Sequence, residues 1–256
     1  MILETFLPTE RLRPFIKCYT IVDCSTTVVN SLLPGTSLIM GVRYKGETRY
    51  VTETEKEKLL PFAVVAGLRK SVQQMKDDSG TGNLLVFFKP GRAPAFFKEP
   101  IYDTYGEVLA LNEFSNFRNL NELEDKLGSA KSNQERIQVV EQFLISRLCS
   151  HKPDPLIANA VQHIKMYKGS IKIRELASHL CISLDAFEKR FRRELGASPK
   201  QFCHIVRMNA IIDGMHHKIL VQNAFEAGYY DQAHFTKDFK VFTGKTPAEF
   251  LKTEEK

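Results

Sequence analysis

The chain has 256 residues, is 43% hydrophobic and 26% charged, and carries a formal net charge of +6. That length allows one or two domains with a sizeable core, and the composition is that of an ordinary soluble protein. Nothing near Met1 has the apolar run of a signal peptide, and no stretch is long and apolar enough to span a membrane, so a cytoplasmic protein is expected.

The first 150 residues show short apolar or β-branched runs at 18–22, 37–40, 62–66 and 84–88. Gly, Pro and Asp punctuate them at Pro34-Gly35, at 77–82 and at Pro90-Gly91. Such punctuation predicts a mainly antiparallel sheet or small barrel, with 77–82 as a hairpin loop. Helices follow at 121–130 and 133–149. In the second, Ile137, Val140, Leu144 and Leu148 fall on one face, a stripe expected to pack on the sheet rather than to form a dimer seam. Residues 151–155 contain two prolines around Asp154 and read as a linker, so the domains are expected at 1–150 and 151–256.

An enzymatic first half finds little support. It contains no histidine, no G-x-S-x-G, no P-loop and no H-E-x-x-H. The five cysteines (Cys18, Cys24, Cys149, Cys181, Cys203) form no C-x-x-C pair and have the wrong spacing for zinc. No catalytic residue, metal or cofactor is expected. The alternative kept open is a DNA-tethered enzyme, such as a thiol-dependent repair transferase using Cys18 or Cys24.

Charge is uneven along the chain. After position 150 there are 17 basic against 12 acidic residues, and all seven histidines lie there. The same part says nearly the same thing twice. Phe187, Phe191, Gly196, Pro199 and Phe202 recur, each 48 residues on, as Phe235, Phe239, Gly244, Pro247 and Phe250. An internal repeat of this kind marks a duplicated supersecondary unit.

Each copy has the grammar of a helix-turn-helix. In copy one (about 155–195), Asp154 and Pro155 start a helix that Gly169 stops. A second helix covers 173–180, Cys181-Ile182 make the turn, and Ser183 caps a third helix from Leu184 to Leu195. Its expected buried stripe is Leu184, Phe187, Phe191 and Leu195. Ser198-Pro199 open a long connecting helix to about His216. Copy two (about 219–243) starts near Leu220, turns at Gly228-Tyr229-Tyr230, and is capped by Asp231. Its third helix, 232–242, buries Phe235, Phe239 and Phe242, and Thr246-Pro247 open the last helix. The fold class expected is therefore α+β: a mainly antiparallel β domain with helices, then an all-α domain with two helix-turn-helix units.

The segments Ile173-Arg-Glu-Leu-Ala177, Gly196-Ala-Ser-Pro199, Gly228-Tyr229 and Gly244-Lys-Thr-Pro247, with the repeated phenylalanines, resemble the AraC/XylS family of bacterial transcription regulators over about 155–252. The first half is similar to an uncharacterised domain often found ahead of that module, through 33–35, 88–91 and Phe96-Phe97. The resemblance implies sequence-specific binding of double-stranded DNA. It places base-reading positions at Asp185, Glu188 and Lys189 in the first recognition helix and at Gln232, Ala233, Thr236 and Lys237 in the second. Gln could pair with adenine, Lys with guanine, and Glu with cytosine N4. Arg192, Arg193 and Lys240 are placed for phosphates. The first half would then sense a small molecule or mediate dimerisation, and RNA polymerase is a further partner to expect. Three departures stand out: Asp185 and Glu188 bring negative charge to a phosphate-facing surface, Asn223 replaces an aliphatic core residue, and Gly214 weakens the connecting helix.

Overall fold

The computed structural model describes residues 1–52, 56–215 and 231–254. Among them, the first 110 residues form two antiparallel sheets. The larger has six strands in the order β1 (Ile2–Phe6), β2 (Ile16–Asp23), β9 (Gly82–Phe88), β4 (Ile39–Lys45), β7 (Ala63–Ala66) and β10 (Val108–Ala110). The smaller has four, in the order β3 (Val28–Leu32), β8 (Gln73–Asp77), β5 (Thr48–Val51) and β6 (Glu57–Leu59).

The central strand β9 explains the layering. Its run Leu84-Leu85-Val86-Phe87-Phe88 is apolar on both faces, as a strand covered on both sides should be. Leu84, Val86 and Phe88 are fully buried with Tyr19, Met40, Val42 and Val65 against the helical side. Leu85 and Phe87, on the opposite face, are half-buried and look toward the smaller sheet. Residues 77–82 do not make the expected hairpin: β8 pairs with β3 and β5, whereas β9 pairs with β2 and β4. The segment carries the chain from one sheet to the other. Turn residues report a reversal, but not which strand the returning chain pairs with.

Helices α1 (Asn121–Ser129) and α2 (Asn133–Ser146) follow, and Ser132 caps α2 by accepting from the Glu135 amide at 3.2 Å. Ile137, Val140 and Leu144 are buried within the chain, with Leu148 packed at the edge, so this stripe belongs to the core. Glu141, also buried, accepts from Tyr19 Oη and from the Thr9 amide, which ties α2 to the sheet.

The C-terminal part is helical: α3 (Pro155–Met166), α4 (Ile173–His179), α5 (Leu184–Leu195), α6 (Pro199–Met215), α7 (Gln232–Thr243) and α8 (Pro247–Glu254). Asp154, Ser183 and Asp231 cap α3, α5 and α7 as their positions predict. Leu184 does not join the buried stripe. It is 36% exposed at the first turn of α5, where the helix has not yet reached its neighbours, and Glu194 is buried instead. The start of copy two, including Leu220, Asn223 and the Gly228-Tyr229-Tyr230 turn, lies outside the described residues, as do His216 and His217.

The two parts touch closely. The Gly196 Cα hydrogen position faces the Ile101 carbonyl so tightly that a Cβ would lie 2.7 Å from its oxygen. Asn209 in α6 donates to the Pro34 carbonyl at 3.1 Å, and the Val72 amide donates to the Val241 carbonyl in α7 at 3.3 Å.

Candidate functional site

The sequence repeat is a repeat of geometry. Phe187 and Phe191 meet with ring centroids 5.7 Å apart; Phe235 and Phe239 do so at 5.6 Å. Phe191 meets Phe202 at 5.6 Å, and Phe239 meets Phe250 at 5.5 Å, both edge to face. Gly196 and Gly244 end their helices at φ 74 and φ 80, donating to the carbonyls of Arg192 and Lys240. Left-handed backbone of this kind is where glycine ends a helix without strain. After each stop a capping box restarts the chain: Ser198 with Gln201, and Thr246 with Glu249.

Locking one face of each helix in phenylalanine leaves the other outward. Asp185 and Lys189 are exposed and Glu188 is half-buried on α5; Gln232, Ala233 and Lys237 are exposed and Thr236 is half-buried on α7. Thr236 is already engaged, donating to the Gln232 carbonyl at 2.8 Å. Glu188 lies 3.9 Å from Arg192, an i,i+4 pair that lowers the net charge α5 offers a phosphate. Arg193 lies 3.3 Å from Glu194 and 3.8 Å from Asp154, so it is partly committed within the protein. Lys240 is exposed on the last full turn of α7. The positive charge is therefore less encumbered on α7 than on α5.

A residue that spacing alone did not single out holds the first unit together. Arg190 makes two 2.7 Å bonds to the Asp154 carboxylate, while Asp154 also accepts from the Leu156 and Ile157 amides. Burial by itself would raise the Asp154 carboxyl, but Arg190 and the two amides outweigh it and hold it below the usual carboxylate range. One carboxylate thus caps α3 and pins α5. His151 lies 3.0 Å from the buried Glu194, so the expected linker at 151–155 is held at both ends.

A second candidate site lies between the sheets. A cavity of about 450 Å³ is walled by half-buried apolar residues of the larger sheet, among them Ile39, Val64, Leu85 and Phe87, and by Gln73, Met75 and Asp77 of β8. Large apolar pockets with a few polar groups are the usual form of a small-molecule site. Asp77 is satisfied there by Thr48 at 2.7 Å and Asn83 at 2.9 Å. Arg69 also lines the cavity. The cysteines do not converge on a reactive site. Cys24 is buried, and burial, together with the nearby Asp77 and Asp23 carboxylates, pushes its thiol up, away from the thiolate a nucleophile needs. No helix among the described residues is long and apolar enough to cross a membrane.

Residues 176–253 match the family model of a helix-turn-helix domain, and residues 4–110 match a domain of unknown function, DUF6597. No curated protein matches the chain. Among solved structures, ToxT from Vibrio cholerae with a bound unsaturated fatty acid is 13% identical, with 91% of this chain and 94% of that one covered and a TM-score of 0.45. Another ToxT structure is 11% identical over 91% and 97%, with a TM-score of 0.46. The AraC-like transcriptional activator CuxR is 10% identical over 88% and 91%, with a TM-score of 0.25. At such scores the assignment rests on the two family models and on the repeat.

Proposed function

We propose, for a chain that belongs to the AraC-type helix-turn-helix regulators and binds DNA to regulate transcription, that α5 and α7 enter two successive major-groove segments on one face of a duplex. The repeated geometry carries this reading: two helices with matching caps, matching phenylalanine pairs and matching glycine stops, each turning its polar N-terminal face outward. Such a helix fits a major groove, and reading heads about 34 Å apart would meet it on successive turns. Asp185, Glu188 and Lys189 would face bases from α5, and Gln232, Ala233, Thr236 and Lys237 from α7. Arg192, Arg193 and Lys240 would meet phosphates. The pairing of Glu188 with Arg192 and the acidic Asp185 favour α7 as the stronger reader.

The first half would act as the sensor, with the cavity between its sheets as the effector site and the boundary with the DNA-binding part near residue 150. Hydroxyl-radical footprinting of the full chain on a selected duplex tests the docking. Two protected patches one helical turn apart are expected; a single patch would contradict two-headed reading.

A further inference from the structure

The cavity contains a charge that the protein leaves without a counter-charge. Arg69 is 6% exposed and lies at the cavity wall just ahead of β8. Its described hydrogen bonds run from Nη2 alone, to the carbonyls of Leu32 and Leu33 at 3.1 and 3.2 Å. Its Nε is buried without a partner, and among the described residues no carboxylate lies within ion-pair distance. Burial pulls its guanidinium down to about 10, which still leaves it charged at neutral pH. An enclosed charge with no partner is costly, and the cost falls when a ligand supplies the missing one. Gln73, 7% exposed on the same wall, has its Oε1 buried without a partner. The amide Nε2 is the donor that Gln73 offers on that wall. Most of the remaining wall is apolar, with Ile39, Val64, Leu85 and Phe87 among it.

We propose that the cavity binds an apolar molecule ending in a carboxylate, with the acid group on Arg69 and Gln73 and the apolar body along the larger sheet. This deepens the sensor reading above and rests on it. Arg69 is also where occupancy would be felt outside the cavity. It clasps Leu32 and Leu33, and the next residue, Pro34, accepts from Asn209 of α6. Three residues beyond Arg69, Val72 donates to Val241 of α7. A carboxylate that draws the guanidinium inward therefore acts on the contact with the connecting helix α6 and on the contact with α7.

The test uses the full chain with decyl and 4-phenylbutyl probes, each as carboxylate, alcohol and ammonium, in thermal-shift and calorimetric titrations. The carboxylates should raise the melting temperature and bind, with the alcohols weaker and the ammonium forms inert. Arg69→Gln should weaken carboxylate binding by roughly ten- to a hundredfold, the size of a hydrogen bond to a charged group, and leave the alcohols nearly unchanged. Gln73→Leu, which keeps the Leu32 clasp intact, should weaken the carboxylates to a lesser degree. Carboxylates should also shift the affinity of wild-type protein for its selected duplex, and not that of Arg69→Gln. Equal binding of acid and alcohol, or no binding by either carboxylate, would overturn the proposal. Duplex affinity without ligand, measured alongside, reports separately on the DNA-binding reading.

Discussion

The Val72 amide, in the part that matches DUF6597, donates to the Val241 carbonyl in α7 at 3.3 Å. The contact falls on the C-terminal half of α7, so Gln232, Ala233 and Lys237 at the other end stay exposed. Gly244 reinforces it, since a Cβ there would lie 3.3 Å from Val72 Cγ1. The first half thus holds each of the two helices by its far end: α7 at Val72 and α5 at Ile101, where Gly196 packs.

These two glycines should differ in tolerance. Both occupy left-handed backbone, which costs an alanine about 1–2 kcal/mol. At Gly244 the neighbour is a side-chain methyl that can give, so Gly244→Ala should stay near that range. At Gly196 the neighbour is the Ile101 carbonyl oxygen, so Gly196→Ala should lose more. Urea melts of both variants check the order.

Base-reading and phosphate contacts should separate by their salt dependence. Gln232→Ala and Lys237→Ala should each cost ~1–3 kcal/mol against the preferred base and little against others. Lys240→Ala and Arg192→Ala should weaken binding to all duplexes and flatten the dependence on salt. Anisotropy titrations on matched and mismatched duplexes at several salt concentrations distinguish these outcomes.

Asp154 should make the first unit acid-sensitive. Its carboxyl lies below its ordinary 3.8 in the folded chain, so the stabilisation is present above that pH and is lost as pH falls through the lower folded value. Asp154→Asn should remove this acid step, and Asp154→Ala should in addition lose the N-cap, worth ~1 kcal/mol. Melting curves from neutral pH to below the carboxylate range measure both.

His204 acts with the same sign as Asp154 but higher on the pH scale. Burial lowers its pKa, with Arg207 and Lys70 adding to the effect, and Asp238 at 3.5 Å opposes it without prevailing. Its ring meets Phe242, so the neutral imidazole is part of the α6–α7 packing. The folded chain therefore prefers neutral His204: this stability is present above 6.5, its ordinary value, and declines as pH falls through the lower folded one. His204→Gln should flatten the decline, which denaturant midpoints across that window would show.

The C-terminal units were legible because helix grammar is local. Ser183, Asp231, Gly196, Gly244 and the prolines state where helices begin and end, and the phenylalanine spacing states which face is buried. The smaller sheet was not. Its strands lack the apolar runs of the larger sheet, as Gln73-Gln-Met-Lys-Asp77 does, because β3 and β8 border a cavity instead of a packed core and β6 is exposed. Arg69 and Arg190 escaped for a related reason. Each looks like a surface cation until the tertiary fold buries Arg69 and brings Asp154 to Arg190 across 36 residues.

On the proposed docking, one chain reads two adjacent half-sites. The most direct measurement is selection of the full chain on a randomised duplex pool at two salt concentrations, with sequencing of the retained DNA. The expected result is a motif with two half-sites about one helical turn apart, its stronger half assigned to α7 by loss of preference in Gln232→Ala. Steeply salt-dependent retention with no enriched motif would contradict it, leaving phosphate contacts alone.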